Sequence, residues 1–197
     1  MSTAERPAAG RPPVTSHAEI EAVSFELFAS QGFDETTLDD IASALGVGRR
    51  TLFRYFPSKN DIPWGQFDAS LEGLRLNLES TPADVPLFEA INRAVVDFNR
   101  FDPETLPQHR QRMALILRTP ALQAHSALRY EQWREVIASY VAARLAVPAD
   151  SLVPRLAGHV ALALALTSYE QWLESDDETL ESLLTASAAA LYSILES

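Results

Sequence analysis

The sequence contains no cysteine and only 7 glycines among its 197 residues. Without thiols the chain has no disulfide framework, no thiolate nucleophile and no cysteine-based zinc site. Its longest apolar run, residues 160–166, is far shorter than the roughly 18 residues that suggest a membrane span. None of the four histidines belongs to an H-E-x-x-H or E-x-x-H arrangement, so a histidine-rich metal site is not expected. No cofactor is expected. The composition, 47% hydrophobic, predicts a folded chain, and the lack of an apolar signal core in the first 15 residues leads us to expect a soluble, cytoplasmic protein.

Positive charge is also scarce, because the net charge is −11 and Lys59 is the only lysine. The distribution is uneven, however. Residues 41–60 contain no Asp or Glu, and they carry Arg49, Arg50, Arg54 and Lys59. A local basic face can bind a polyanion even when the whole protein is acidic. The same four charges are compatible with an ordinary solvated helix face, and charge alone does not separate the two interpretations.

Helical spacing of apolar residues predicts an all-α fold of about nine helices. The expected helices cover residues 16–32, 37–45, 49–56, 58–78, 87–101, 104–117, 122–145, 152–174 and 178–195. Ser16, Thr37 and Ser58 each precede an acidic residue three positions on, which is the pattern of a helix-capping box. Pro57 ends the third helix, and Pro63 predicts a kink or an irregular first turn in the fourth.

The second and third helices are joined by the turn Gly46-Val47-Gly48, as in a helix-turn-helix. In the third helix, Leu52, Phe53 and Phe56 are expected to pack on the first two helices. The opposite face is polar and basic, and we expect it to point outward.

Three segments together resemble the N-terminal domain of TetR-family transcriptional regulators: residues 28–33 (FASQGF), 36–42 (TTLDDIA) and 46–59 (GVGRRTLFRYFPSK). The match covers residues 16–62, about a quarter of the chain, and beyond them only the number and layout of helices is similar. Two positions depart from the usual pattern, Gly48 where Ser is frequent and Phe53 where Tyr is frequent. Residues 56–65 (FPSKNDIPWG) also resemble regulators associated with the mycofactocin system of actinobacteria.

The resemblance implies three segments: a flexible tail at residues 1–15, a helix-turn-helix domain at 16–62, and a helical effector-binding and dimerisation domain at 63–197. A regulator of this kind, most often a repressor, binds palindromic operator DNA as a homodimer and joins the nucleoid when bound. The two third helices lie in successive major grooves, about 34–36 Å apart. A small-molecule effector then favours a different spacing of the DNA-binding domains, and operator affinity falls.

DNA contacts are assigned from position in the motif. Arg50 and Thr51, near the start of the third helix, are expected to contact base edges. Phosphate contacts are expected from Arg49, Arg54 and Tyr55, with base contact as the alternative for Arg49. Two residues at helix N-termini, Thr37 and Lys59, are also expected to contact phosphates. In the tail, Arg11 is a weaker candidate for the minor groove.

The effector pocket is less readable from the sequence. By resemblance, large side chains on the surrounding helices are candidates to line it: Trp64, Phe67, Phe98, Met113, Tyr130 and Trp133. Each of them is equally compatible with ordinary core packing. Four arginines could meet an anionic group: Arg75, Arg93, Arg112 and Arg118. The mycofactocin-like segment suggests a long-chain acyl-CoA as the effector.

Dimerisation is expected, by resemblance, to use the last two helices. Their apolar stripes are too extensive for a monomer surface, where large apolar patches are rare. The candidate interface residues are Leu156, Val160, Ala163, Leu164, Thr167, Leu184, Ala188 and Leu191. Packing inside the protomer is the competing interpretation for each stripe.

Two other classes of protein are compatible with a helical chain. A helical-bundle enzyme is not expected, because the chain has no G-x-S-x-G, no G-K-[ST] and no third glycine to complete a dinucleotide loop. The alternative is a helical protein-interaction adaptor without DNA binding. The basic window without a carboxylate argues against an adaptor, which has no need to exclude acids from one helix face.

Overall fold

The structure is a computed structural model that describes residues 15–65, 67–175 and 177–196. These residues form nine α-helices and one short 3-10 helix, and they contain no strand. The all-α prediction is therefore confirmed. The chain divides after Gly65 into two compact units.

The first unit contains α1 (His17–Gln31), α2 (Leu38–Ala44), α3 (Arg49–Tyr55) and the 3-10 helix (Lys59–Trp64). The predicted caps explain where α1 and α2 begin. The Ser16 hydroxyl accepts from the Glu19 amide, and Thr37 forms a complete capping box with Asp40. The turn into α3 requires a positive φ of 65° at Gly46, which a residue without Cβ adopts freely.

The core of the first unit is formed by large apolar side chains from every helix, among them Ile20, Ile41, Leu52 and Phe56. Phe53 does not belong to it, because 44% of its surface is exposed. The prediction that Phe53 packs on the first two helices is therefore wrong. Positions 52 and 56 share a helix face because they are four residues apart, whereas position 53 shares a face with position 49.

The predicted fourth helix is interrupted. A 3-10 helix runs to Trp64, Gly65 follows with a φ of 50°, and α4 begins only at Phe67. Pro63 has no N–H to donate, which is consistent with the irregular first turn predicted from it. The Ser58 hydroxyl donates to the Asp61 carboxylate at 2.7 Å and makes no capping bond to the backbone, so the predicted capping box is not formed.

The second unit contains six helices: α4 (Phe67–Ser80), α5 (Leu87–Phe98), α6 (Leu106–Arg118), α7 (Pro120–Leu145), α8 (Leu152–Glu174) and α9 (Leu180–Glu196). Pro120 opens α7 at a first-turn position, where its missing N–H costs nothing. A buried cluster joins five of these helices through residues such as Leu78, Val95, Ile137, Leu162 and Leu184.

The two longest helices, α7 and α8, approach each other very closely at Gly158. A Cβ at this position would lie 2.8 Å from the backbone oxygen of Arg134, closer than atoms in contact allow.

Among the described residues, α8 is the one helix that is long and apolar enough to span a membrane by length and composition. Only 33% of its most apolar stretch is buried in the protomer, so α8 leaves much apolar surface to be covered.

Candidate nucleic-acid interface

Helix α3 presents two exposed arginines, Arg50 and Arg54, on its outward face. They are four residues apart and therefore lie on the same side of the helix. Arg50 makes no hydrogen bond or ion pair with any other described residue, so none of these residues occupies its five N–H donors. The Arg54 guanidinium lies 5.2 Å from the centre of the Tyr55 ring.

Arg49 is held more firmly than its neighbour. Its guanidinium donates to the Asp39 carboxylate at 3.1 Å and lies 5.5 Å from the centre of the Phe53 ring. Because both members of this ion pair are more than half exposed, the pair contributes at most about 1 kcal/mol. Arg49 can therefore exchange Asp39 for a phosphate at little cost.

Phe53 is a candidate contact residue that sequence reasoning assigned to the core. Its exposed ring lies beside the Arg49 guanidinium on the outward surface of α3. An apolar ring in this position can contact the methyl group of a thymine. The four-residue spacing from position 49 was the signal that could have identified it.

Tyr55 is turned toward the start of α1. Its hydroxyl donates to the backbone oxygen of Thr15, and its ring meets the His17 ring edge-on at 4.9 Å. Thr15, which the sequence assigned to the tail, is only 4% exposed and donates to the Glu19 carboxylate. Thr51 is half-buried on the same helix. Arg11 and the rest of the predicted tail lie outside the described residues.

The N-terminus of α2 already holds an anionic group of the protein itself. The Asp40 carboxylate accepts from the Thr37 amide at 2.8 Å and from the Thr37 hydroxyl at 2.6 Å. These bonds, the one from the hydroxyl first, lower the pKa of Asp40. A phosphate contact by Thr37 would have to displace this carboxylate or bind beside it.

Lys59, expected at a phosphate, faces the backbone of its own unit. Its ammonium donates to the carbonyl oxygens of Phe33, Asp34 and Thr36 at 2.6, 3.3 and 2.8 Å. The nitrogen also lies 4.4 Å from the centre of the Phe33 ring.

The candidate effector residues fall into two groups. Trp64 belongs to the 3-10 helix of the first unit and is buried there. The other five belong to one hydrophobic cluster of the second unit, where Trp133 is fully packed and the rest are partly exposed: Phe67, Phe98, Met113 and Tyr130. Of the candidate arginines, Arg75 and Arg93 form ion pairs with glutamates of their own helices. Arg118 donates to the Leu173 carbonyl near the end of α8.

A chain of polar side chains runs through the second unit, and sequence reasoning missed it. The Tyr169 hydroxyl donates its hydrogen to the Asn99 side-chain oxygen at 2.6 Å, and its oxygen lies 2.7 Å from His109 Nε2. Because the hydroxyl hydrogen is already used, His109 Nε2 carries a proton and donates it to the Tyr169 oxygen. The His109 ring stacks on Phe101 at 3.7 Å. Burial, and secondarily the charge of Arg112, lowers the pKa of His109 to about 3, so the imidazole is neutral. Burial likewise raises the pKa of Tyr130 to about 12.

A small apolar cleft of about 60 Å3 lies between α5, α8 and α9. Its wall includes Ile91, Val95, Val160 and Leu164, and Asn92 is its polar member. None of the candidate effector residues lines this cleft. Val160 and Leu164, however, were assigned to the dimer interface.

The candidate interface residues differ in exposure. Leu156, Ala163 and Thr167 are exposed along one side of α8, as an interface requires. Leu184 and Ala188 are 3% and 4% exposed and face the core of the protomer, because this stripe of α9 packs against α8. Their assignment to a dimer surface is therefore corrected. The large apolar side chains exposed on α9 are instead those of Tyr192, Ile194 and Leu195.

Comparison with known proteins agrees with this architecture. Residues 20–62 match the family described as bacterial regulatory proteins, tetR family, and residues 85–196 match the MftR C-terminal domain. The mycofactocin biosynthesis transcriptional regulator MftR of Mycobacterium tuberculosis is 42% identical over 90% of this chain and 89% of its own length.

Two solved structures share the fold at low sequence identity. A TetR-family regulator from Syntrophomonas wolfei has a TM-score of 0.66 at 16% identity, covering 92% of this chain and 95% of that one. The repressor FadR of Thermus thermophilus, solved with lauroyl-CoA, has a TM-score of 0.57 at 21% identity, covering 90% and 93%.

Proposed function

Since the chain belongs to the TetR family of DNA-binding transcriptional regulators, we propose that it is a repressor whose α3 surface binds palindromic operator DNA. The observation that supports this surface most directly is the pair Arg50 and Arg54, two exposed cations on one face of α3 in an otherwise acidic chain. An α-helix fits the major groove, and an unpaired guanidinium there can bind guanine bidentately.

We assign the contacts of this surface by exposure and available donors. Arg50 and Thr51 contact base edges, with Phe53 beside them as an apolar contact. Arg49 and Arg54 contact phosphates, because exposed guanidinium groups bind phosphate oxygens readily. Tyr55, whose hydroxyl is engaged by Thr15, contacts the backbone only if that bond is exchanged. Thr37 acts first as the cap of α2.

Members of the family act as dimers, and we propose that this chain pairs through the outer sides of α8 and α9. Support comes from the limited burial of α8 and from exposed apolar side chains on both helices. An exposed patch of this kind marks an interface. The proposed contact residues are Leu156, Val160, Ala163, Leu164, Thr167 and Leu191 from the sequence, with Tyr192 and Leu195 added from their exposure.

We further propose that a long-chain acyl-CoA is the effector that releases the operator. A protein of the same fold was solved with lauroyl-CoA. In this chain the cleft between α5, α8 and α9 has an apolar wall, as an alkyl chain requires, but its volume of about 60 Å3 is below that of a small-ligand site, so the cleft must widen to hold the chain. Effector binding causes release only if the DNA-bound and free states bind the effector with different affinity.

Operator binding is tested by selecting duplexes from a random library with the full-length protein. The proposal expects a palindromic sequence bound by two protomers, with half-site centres one helical turn apart. Enrichment of no sequence, or binding by one protomer, would contradict it.

The effector is tested by adding lauroyl-CoA, free CoA or laurate to the protein–operator complex and following fluorescence anisotropy. Only lauroyl-CoA is expected to release the DNA at low micromolar concentration. Asn92→Trp, which places a large ring at the cleft, should remove this response while operator binding is retained. Release by all three compounds, or by none of them, would refute this effector.

A further inference from the structure

The ammonium group of Lys59 has no hydrogen left for a ligand. A lysine ammonium carries three N–H donors. In this structure they face three carbonyl oxygens, those of Phe33, Asp34 and Thr36, at 2.6 to 3.3 Å. A contact between Lys59 and a DNA phosphate would therefore require the loss of one of these bonds.

The three carbonyl oxygens accept hydrogen bonds from Lys59. They belong to the turn between α1 and α2, and among the described residues no backbone amide donates to them. The ring of Phe33, which is buried, adds a cation–π contact at 4.4 Å from the nitrogen. Among residues 15–65, 67–175 and 177–196, Lys59 is thus the hydrogen-bond donor to these three carbonyl oxygens of the turn.

The location of this turn gives the contact a consequence for DNA binding. The turn ends at Thr37, the N-cap of α2, and Lys59 follows α3 closely in the chain. Lys59 therefore ties the segment before α2 to the segment after α3, so both ends of the helix-turn-helix are joined by one side chain. A rigid scaffold is what allows an outward helix to meet base edges at a fixed angle.

We propose that Lys59 is a positioning residue of the helix-turn-helix and not a phosphate ligand. It holds the α1–α2 turn against the chain that leaves α3 and thereby sets the orientation of α3. The inference rests on operator binding through α3. It is separable from that proposal because it concerns how binding depends on salt and not whether binding occurs.

The salt dependence of operator binding separates the two roles. Each phosphate contact contributes about −0.9 to the slope of log affinity against log salt, or about −1.8 for a symmetric dimer. Lys59→Met keeps the aliphatic stem and removes the three donors. We expect this variant to bind the operator about tenfold more weakly at every salt concentration, with an unchanged slope. The matched control, Arg54→Met, should flatten the slope by about 1.8.

Either of two results would overturn the proposal. A slope reduced by about 1.8 in Lys59→Met would make Lys59 a phosphate contact. Unchanged affinity and slope in a folded variant, even one with a lower melting temperature, would leave Lys59 as a stabilising residue without influence on α3.

A second measurement needs no variant and so does not depend on folding of Lys59→Met. Lys59 is the only lysine, so acetylation by an N-hydroxysuccinimide ester reports on a single side-chain amine, with the α-amino group as an internal reference. We expect slow acetylation of Lys59 at the same rate with and without operator DNA. Fast acetylation of the free protein, whether or not DNA then protects the amine, would contradict the three-carbonyl site.

Discussion

The close approach of α7 and α8 at Gly158 predicts a large effect of a single methyl group. In Gly158→Ala the new Cβ would lie 2.8 Å from the Arg134 backbone oxygen and 3.2 Å from the Arg134 Cβ. A backbone atom cannot rotate away, so the two helices must separate. Overpacking of this kind costs about 1–3 kcal/mol.

Alanine has a higher helix propensity than glycine, which raises the stability of the variant and opposes the cost of the contact. A second helical glycine serves as a control for this gain. Gly73 lies inside α4, and a Cβ there would meet no atom within 4 Å. Replacing either glycine by alanine gains about 1 kcal/mol of helix propensity. The difference between the two variants therefore isolates the cost of the contact at Gly158.

Thermal unfolding of Gly73→Ala and Gly158→Ala at equal protein concentration measures this difference. A gap of about 1–3 kcal/mol corresponds to a melting temperature about 2–12 °C lower for Gly158→Ala. Gly73→Ala itself should be as stable as the parent or more so. Equal melting temperatures for the two variants would refute the packing described for α7 and α8.

Three further substitutions test the polar chain and the α3 surface. Tyr169→Phe removes a hydroxyl that is bonded on both sides, so it should lower the free energy of unfolding by about 1–3 kcal/mol in urea denaturation, and an unchanged free energy would contradict these bonds. Burial lowers the pKa of His109 to about 3 in the folded state, against about 6.5 in the unfolded state. Between these two pH values the unfolded state binds a proton on His109 that the folded state does not. The free energy of unfolding should therefore decrease as the pH falls from about 6.5 to 3. This fall should be smaller in His109→Gln, and identical pH profiles would contradict the buried neutral imidazole. Asp39→Asn removes the carboxylate that holds Arg49, so duplex affinity at low salt should rise by about two- to fivefold, and a weaker complex would indicate that the ion pair is needed for binding.

Features that depend on neighbouring residues were predictable from the sequence. The starts of α1 and α2 follow from Ser16 and Thr37, because a capping box is complete within four residues. The irregular 3-10 turn that contains Pro63 likewise has a local cause, the missing N–H. The outward placement of Arg50 and Arg54 follows from helical periodicity alone.

Features formed by distant residues were not predictable in this way. Lys59 meets its carbonyl partners 23 to 26 residues earlier in the chain, and Tyr169 meets Asn99 across 70 residues. An apolar stripe such as that of Leu184 shows that a helix buries one face but not which partner covers it. In this protein α8 of the same protomer packs against α9, and Leu184 and Ala188 are buried within the protomer.

Base-specific contact by Arg50 of α3 is tested most directly by the affinity of Arg50→Ala for two duplexes at one salt concentration. On the selected operator the variant should lose about 1–3 kcal/mol per half-site, and on a scrambled duplex it should lose less. Arg93→Ala, which removes an exposed cation from α5, should change neither affinity. An equal loss on both duplexes would contradict the claim, because Arg50 would then contact only the DNA backbone.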